Sequence, residues 1–137
     1  MKVLIILTIL FTAVFCNTRD EEFERFYQVK HIADGDGVSY PKAGNRVTVH
    51  YTGTFVDGRK FDSSLDRRQP FTFTLKRGQV ITCWDEVVAK MTKGEKIYVI
   101  CPSKYAYGER GAGGVIPPNT DIAFEIELLE YSGSDDL

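Results

Sequence analysis

Between Arg46 and Phe55 apolar and polar side chains alternate, with Val47, Val49 and Tyr51 on one face and Thr48, His50 and Thr52 on the other. A period of two carried by β-branched residues predicts a strand. The same period recurs at Phe71, Phe73 and Leu75, at Ile97, Val99 and Cys101, and at Ile122, Phe124, Ile126 and Leu128 near the end of the chain. Asp57-Gly58 is a hairpin turn signal, and Lys60-Phe61-Asp62 returns from it as a short strand. Ser63 to Pro70 is polar, contains two arginines and reads as a loop. The period changes only once. Trp84, Val87, Val88 and Met91 form a helical stripe, with Thr82 as the expected N-cap, Asp85 three residues on, and Gly94 as the expected stop. Phe26 to Ala33 reads as a first strand, and the charged run 17–25 as a loose terminus. The sum is five or six strands, mostly joined by turns, and one short amphipathic helix. An antiparallel sheet covered on one face by that helix is an α+β fold.

The stretch from Tyr105 to Pro118 fits neither period. Gly108, Gly111, Gly113 and Gly114 open backbone conformations closed to other residues, and Pro117-Pro118 stiffens the exit. A long loop of this kind between strong strands, carrying tyrosines and aliphatics, is built either to cover something or simply to be solvated.

Composition narrows the function classes. At 137 residues one domain is expected, and a net charge of −2 argues against a nucleic-acid binder, which needs a basic face. Nine Phe, seven Tyr and one Trp are enough for a core and for an aromatic-lined cleft. The chain opens with Met1-Lys2, then a nearly unbroken apolar run from Val3 to Phe15, then Cys16 and the polar run Asn17 to Glu24. That is the layout of a secretory signal peptide, with Val14 and Cys16 at the small-pocket positions and cleavage after Cys16. The run is shorter than the ~20 residues of a membrane-spanning helix; an uncleaved anchor and a buried first helix are the alternatives. Cleavage leaves Cys83 and Cys101 in an oxidising compartment, either as a disulfide or as two buried free thiols. No paired-cysteine motif supports a zinc site, since the only histidines are His31 and His50. Asp34-Gly35-Asp36-Gly37 opens like a calcium loop, but Val38 stands where an oxygen ligand belongs, and it reads as a turn. Ser134-Asp135-Asp136-Leu137 only faintly resembles a C-terminal retention signal, for lack of the final Glu-Leu.

Several ordered motifs then carry a resemblance. Val49-His50-Tyr51-Thr52-Gly53 and Asp57 to Ser64 resemble the opening of FKBP-type peptidyl-prolyl cis-trans isomerases, the immunophilins that bind tacrolimus and rapamycin. Phe71-Thr72-Phe73, Gly78-Gln79-Val80-Ile81 and Trp84 resemble the family's middle motifs. Tyr107-Gly108-Glu109-Arg110-Gly111, Ile116-Pro117-Pro118-Asn119 and Phe124 to Leu129 resemble its long loop and last strand. The similarity runs over residues 38–131, preceded by a signal peptide, 1–16, and an extension, 17–37, and followed by a polar tail, 132–137.

The resemblance implies a twisted antiparallel sheet wrapped around the helix, with a pocket between them. Its lining is expected to be Tyr51, Phe61, Asp62, Phe71, Val80, Ile81, Trp84, Tyr107, Ile116 and Phe124, with Trp84 as the floor. It further implies that the backbone N–H of Ile81 and the hydroxyl of Tyr107 hydrogen-bond bound carbonyls, that the carboxylate of Asp62 lies beside the bound carbonyl carbon, and that Tyr51 holds Asp62. Phe73, Ile122, Ile126 and Leu128 are expected to be ordinary core. No cofactor and no metal are implied. The implied partners are proline-containing polypeptides and tacrolimus- or rapamycin-type macrolides, met by a monomer that is free of the membrane after cleavage, in the endoplasmic reticulum lumen or outside the cell. A binding module or chaperone of the same fold with little turnover is the alternative function. Two positions depart from the family pattern, where glycine is common: Cys83, directly before Trp84, and Lys76.

Overall fold

The computed structural model describes residues 19–133. The expected signal peptide, 1–16, and the end of the polar tail lie outside them. Strand β2, Arg46–Phe55, is the spine of the fold. Along its whole length it pairs antiparallel with β6, Ile122–Ser132, in a register that sets Tyr51 opposite Ile126 and Gly53 opposite Phe124. Its other edge is shared: β4, Phe71–Thr74, takes Arg46 to Val49, and β3, Lys60–Ser63, takes Thr52 to Thr54. Beyond β6 lie β5, Lys96–Cys101, and β1, Lys30–Ala33. All pairings are antiparallel, and the alternation becomes burial: Val47, Val49 and Tyr51 on β2, Ile97, Val99 and Cys101 on β5, and Ile122, Phe124, Ile126 and Leu128 on β6 all turn inward.

The inward face is covered by a helix, Thr82–Val88, whose Cys83, Trp84, Val87 and Val88 join the strands' buried side chains in one core. It is α2, the second α-helix among the described residues. Residues 19–26 form an earlier one, α1, where a loose terminus and the start of a strand were expected. The reason is tertiary. Tyr27, in the turn just past the helix, is 1% exposed within the core, and Phe23 packs against it edge-on at 5.0 Å. Only Lys30–Ala33 of the expected first strand is extended.

Both ends of α2 also differ from expectation. Its N-cap is Ile81, and no side chain caps it. Asp85 is engaged elsewhere, accepting the backbone N–H of Lys76 at 2.9 Å. Lys76 has φ +61°, the left-handed conformation that explains why glycine suits this position. The helix closes at Val88, well before Gly94. Met91 still fills the core because the turn that follows carries it there, while the buried hydroxyl of Thr92 accepts the N–H of Gly37 at 3.2 Å.

Cys83 and Cys101 form a disulfide, their Cα atoms 5.7 Å apart and both side chains fully buried. It joins the start of α2 to the end of β5, where the long loop departs.

Candidate active site

A cavity of about 150 Å³ opens between α2, the sheet and the long loop. That is the size that admits a single small ring, by comparison with the ~150 Å³ cavity that takes benzene. Its floor is Trp84, 4% exposed, packed edge-on against Tyr51 at 4.9 Å and Phe124 at 5.2 Å. The sheet supplies Tyr51 from β2, Phe61 and Asp62 from β3, Phe71 from β4 and Phe124 from β6. Gln79, Val80 and Ile81, the segment entering α2, make the opposite wall, and Tyr107 closes the mouth from the loop. The structure thus brings together every expected lining residue but one. Ile116 is not on the cavity wall. It is 4% exposed, and its backbone bridges to Ala112, so its side chain belongs to the core cluster. Gln79, passed over in the sequence, does line the cavity.

The polar edge is a network of three side chains. The Tyr51 hydroxyl donates to Asp62 Oδ2 at 2.5 Å. Arg67 Nη1 donates to Asp62 Oδ1, and Arg67 Nη2 donates to the Tyr51 hydroxyl at 2.9 Å. Arg67 lies in the polar loop after β3 and was not foreseen. Its only trace in the sequence was a pair of arginines, and nothing there tells which one turns inward. The loop's fold decides. The side chain of Ser64, fully buried, accepts the Tyr51 N–H at 2.8 Å, and the Ser64 N–H donates to the Tyr51 carbonyl at 3.0 Å. These bonds pin the loop to β2, and Arg68, at φ +55°, turns the chain back.

This network sets the charges. Burial pushes the Asp62 carboxyl upward, but the hydrogen bonds from Tyr51 and Arg67 and the guanidinium charge outweigh it and hold it below the ordinary carboxylate value. Asp62 is therefore an anion and a weak base. Burial, with the negative charge of Asp62, pushes the Tyr107 phenol up. Tyr107 therefore stays protonated, and its hydroxyl has no partner among the described residues, so it is free to donate. The backbone N–H of Ile81 is likewise uncommitted, while its carbonyl accepts from Trp84 and Asp85 at 3.0 and 3.3 Å.

The loop that carries Tyr107 is stitched rather than slack. A 3-10 turn, Ser103–Tyr105, starts it, and Ser103 N–H donates to Asp121 at 2.8 Å. Gly108 donates to Ser103 and Asn119 to Gly108, both at 2.8 Å. At Gly111, with φ +65°, a Cβ would lie 2.2 Å from the Ile116 carbonyl oxygen, so only glycine fits the turn.

An aromatic cleft with one carboxylate, held by a tyrosine and an arginine, matches the family suggested by the motifs, and comparison with known sequences agrees. The profile of the FKBP-type peptidyl-prolyl cis-trans isomerase family matches residues 37–129. The chain is 57% identical over 103 residues to the peptidyl-prolyl cis-trans isomerase Fkbp12 of Drosophila melanogaster, covering 75% of this chain and 95% of that one. It is 47% identical over 112 residues to FK506-binding protein 1 of Saccharomyces cerevisiae, covering 82% and 98%. It is 51% identical over 98 residues to a peptidyl-prolyl cis-trans isomerase of Schizosaccharomyces pombe, covering 72% and 88%. The chain belongs to the FKBP-type peptidyl-prolyl cis-trans isomerases.

Proposed function

We propose that this chain accelerates rotation about Xaa-Pro bonds of polypeptides folding in the secretory pathway, that the cleft over Trp84 is where it does so, and that tacrolimus- or rapamycin-type macrolides block it. The observation that carries the reading is the cleft itself: an apolar, ring-sized space with free donors at its mouth and an anion beside it. Peptide rotation faces a barrier of ~18–20 kcal/mol because the planar amide is stabilised by resonance. The cis and trans forms of an Xaa-Pro bond differ by only ~0.5–1 kcal/mol, yet they exchange over tens to hundreds of seconds. No bond breaks, so positioning and solvation do the work. The twisted amide is less polarised than the planar one, and a water-poor wall of Phe61, Phe71, Trp84 and Phe124 favours it relative to the ground state. The N–H of Ile81 and the hydroxyl of Tyr107 fix the flanking carbonyls. Asp62, saturated by Tyr51 and Arg67, acts through its charge and position rather than as a proton acceptor.

The secretory assignment rests on two features. One is the apolar leader, residues 3–15, followed by a polar segment. The other is the buried pairing of Cys83 with Cys101, a bond that persists in oxidising compartments. Expression through a eukaryotic secretory pathway tests both halves. The purified protein should begin at Asn17 and should accelerate cis-to-trans exchange in a short Leu-Pro peptide, with tacrolimus abolishing the acceleration. An intact Met1 would refute the leader. Macrolide binding without acceleration would favour a low-turnover binding module of the same fold, with Cys83 at the pocket floor as the first suspect.

A further inference from the structure

Residues 19–28 precede the segment matched by the family, 37–129, yet they touch the two elements that carry the floor and the mouth of the cleft, α2 with Trp84 and the loop after β5 with Tyr107. We infer that this segment is a brace that positions these two elements relative to each other, with Tyr27 as its positioning residue; the inference rests on the cleft being the isomerase site.

One element is α2, which is capped by Ile81 and carries Trp84. The Tyr27 hydroxyl donates to the carboxylate of Glu86 on that helix, across 59 residues of sequence. The other is the loop that leaves β5 and carries Tyr107. Its first turn ends in Tyr105, two residues before Tyr107, and the Tyr105 ring meets Phe26 edge-on at 5.3 Å and Tyr27 at 6.2 Å. The backbone of Tyr27 is tied to the same root, its carbonyl accepting the N–H of Ile100 at 2.9 Å. One residue thus contacts both elements. The segment is itself anchored, since Lys90 sits over the Phe23 ring at 4.6 Å and pairs with Asp20 at 3.3 Å. Tyr27 is fully enclosed, and burial together with the negative Glu86 keeps its phenol protonated, so the hydroxyl remains a donor throughout the working pH range. Phe26 is 48% exposed, a cost in apolar surface that the Tyr105 contact explains.

A rotamase works by holding a peptide in a narrow range of poses, so a small shift between Trp84 at the floor and Tyr107 at the mouth should cost rate more than stability. The chain's single tryptophan is that floor residue, which gives the brace its own signal. Measured in the secreted protein on a Leu-Pro peptide, Tyr27→Phe and Glu86→Ala should each lower kcat/KM about three- to tenfold, with unchanged far-UV circular dichroism. Each should also shift Trp84 emission. The double variant should be no slower than either single one, because both remove the same link. Glu86→Gln keeps an acceptor for the Tyr27 hydroxyl and should return close to the parent rate. Full activity in Tyr27→Phe with unmoved Trp84 emission would overturn the brace, and so would losses that simply add. If the parent protein fails to isomerise at all, it is the reading of the cleft that falls. Trp84 emission still judges the brace in that case: a shift in both single variants upholds it, and an unmoved spectrum overturns it.

Discussion

Among the described residues, Asp62 is the one charged side chain lining the cleft, and its state is set by burial, by the hydrogen bond from Tyr51 and by the hydrogen bond and charge of Arg67. The Asp62 side chain is 38% exposed, so its pairing with Arg67 is partly screened by water and salt. The folded protein holds Asp62 below its ordinary value of 3.8, so the ionised form contributes stability above that pH and the contribution is lost as pH falls through the lower folded value. Activity that depends on the anion should therefore be flat from pH 5 to 8 and decline only in strong acid. Arg67→Met removes the guanidinium and its two hydrogen bonds, one to Asp62 and one to the Tyr51 hydroxyl, while burial still pushes the carboxyl up, so the acid limb of kcat/KM should move to higher pH. A pH profile of the variant checks this, and an unmoved limb would free Asp62 from any charge role. Asp62→Leu should reduce turnover at intact fold, as judged by circular dichroism. Tyr51 and Asp62 were legible from their motifs. Arg67 was not, because a loop arginine carries no periodic signature and its partner is fixed by turn geometry that only the folded chain displays.

At the level of elements, the strands were nearly all legible because each presents one buried and one open face, and period two records that directly. What the pattern missed was held by contacts distant in sequence. Helix α1 is rich in charge and too short to persist alone, and it exists because Phe23 and Tyr27 find the body of the protein. The end of α2 was misplaced because Met91 extends the helical stripe although the backbone has already turned. Gly53 shows how tightly the strands hold the cleft. It stands opposite Asp62 on β3 and Phe124 on β6, and a Cβ there would lie 2.7 Å from Phe61 Cζ and 2.9 Å from Phe124 Cε1. Both rings line the cavity, and neither has a free end to swing away. Gly53→Ala should therefore destabilise by ~1–3 kcal/mol, the usual cost of overpacking, seen as a lower urea midpoint at unchanged slope. It should weaken macrolide binding at the same time, because the atoms displaced are those of the cleft wall. A variant that loses neither would show that the sheet can spread at this point.

Over the whole molecule, the choice between thiols and a disulfide could not be made from sequence, since two cysteines 18 residues apart on a helix and a strand say nothing about their separation in space. The fold brings their Cα atoms to 5.7 Å, inside the range a disulfide spans, and seals both from solvent. The bond joins the start of α2 to the end of β5, so it links the same two elements that Tyr27 contacts from outside. Closing 18 residues restricts the unfolded chain, and the chain-entropy relation gives ~3 kcal/mol of stability for a loop of that length. Cys83→Ala with Cys101→Ala should lower unfolding stability by about that amount in urea, and dithiothreitol should leave the double variant unchanged. Alkylation of the secreted parent protein under denaturing, non-reducing conditions should find no free thiol, because its only other cysteine, Cys16, departs with the leader in the proposed processing. Two reactive thiols in that experiment would remove the strongest structural support for an oxidising destination, while the fold, which rests on the pairing of β2 with β6, would stand.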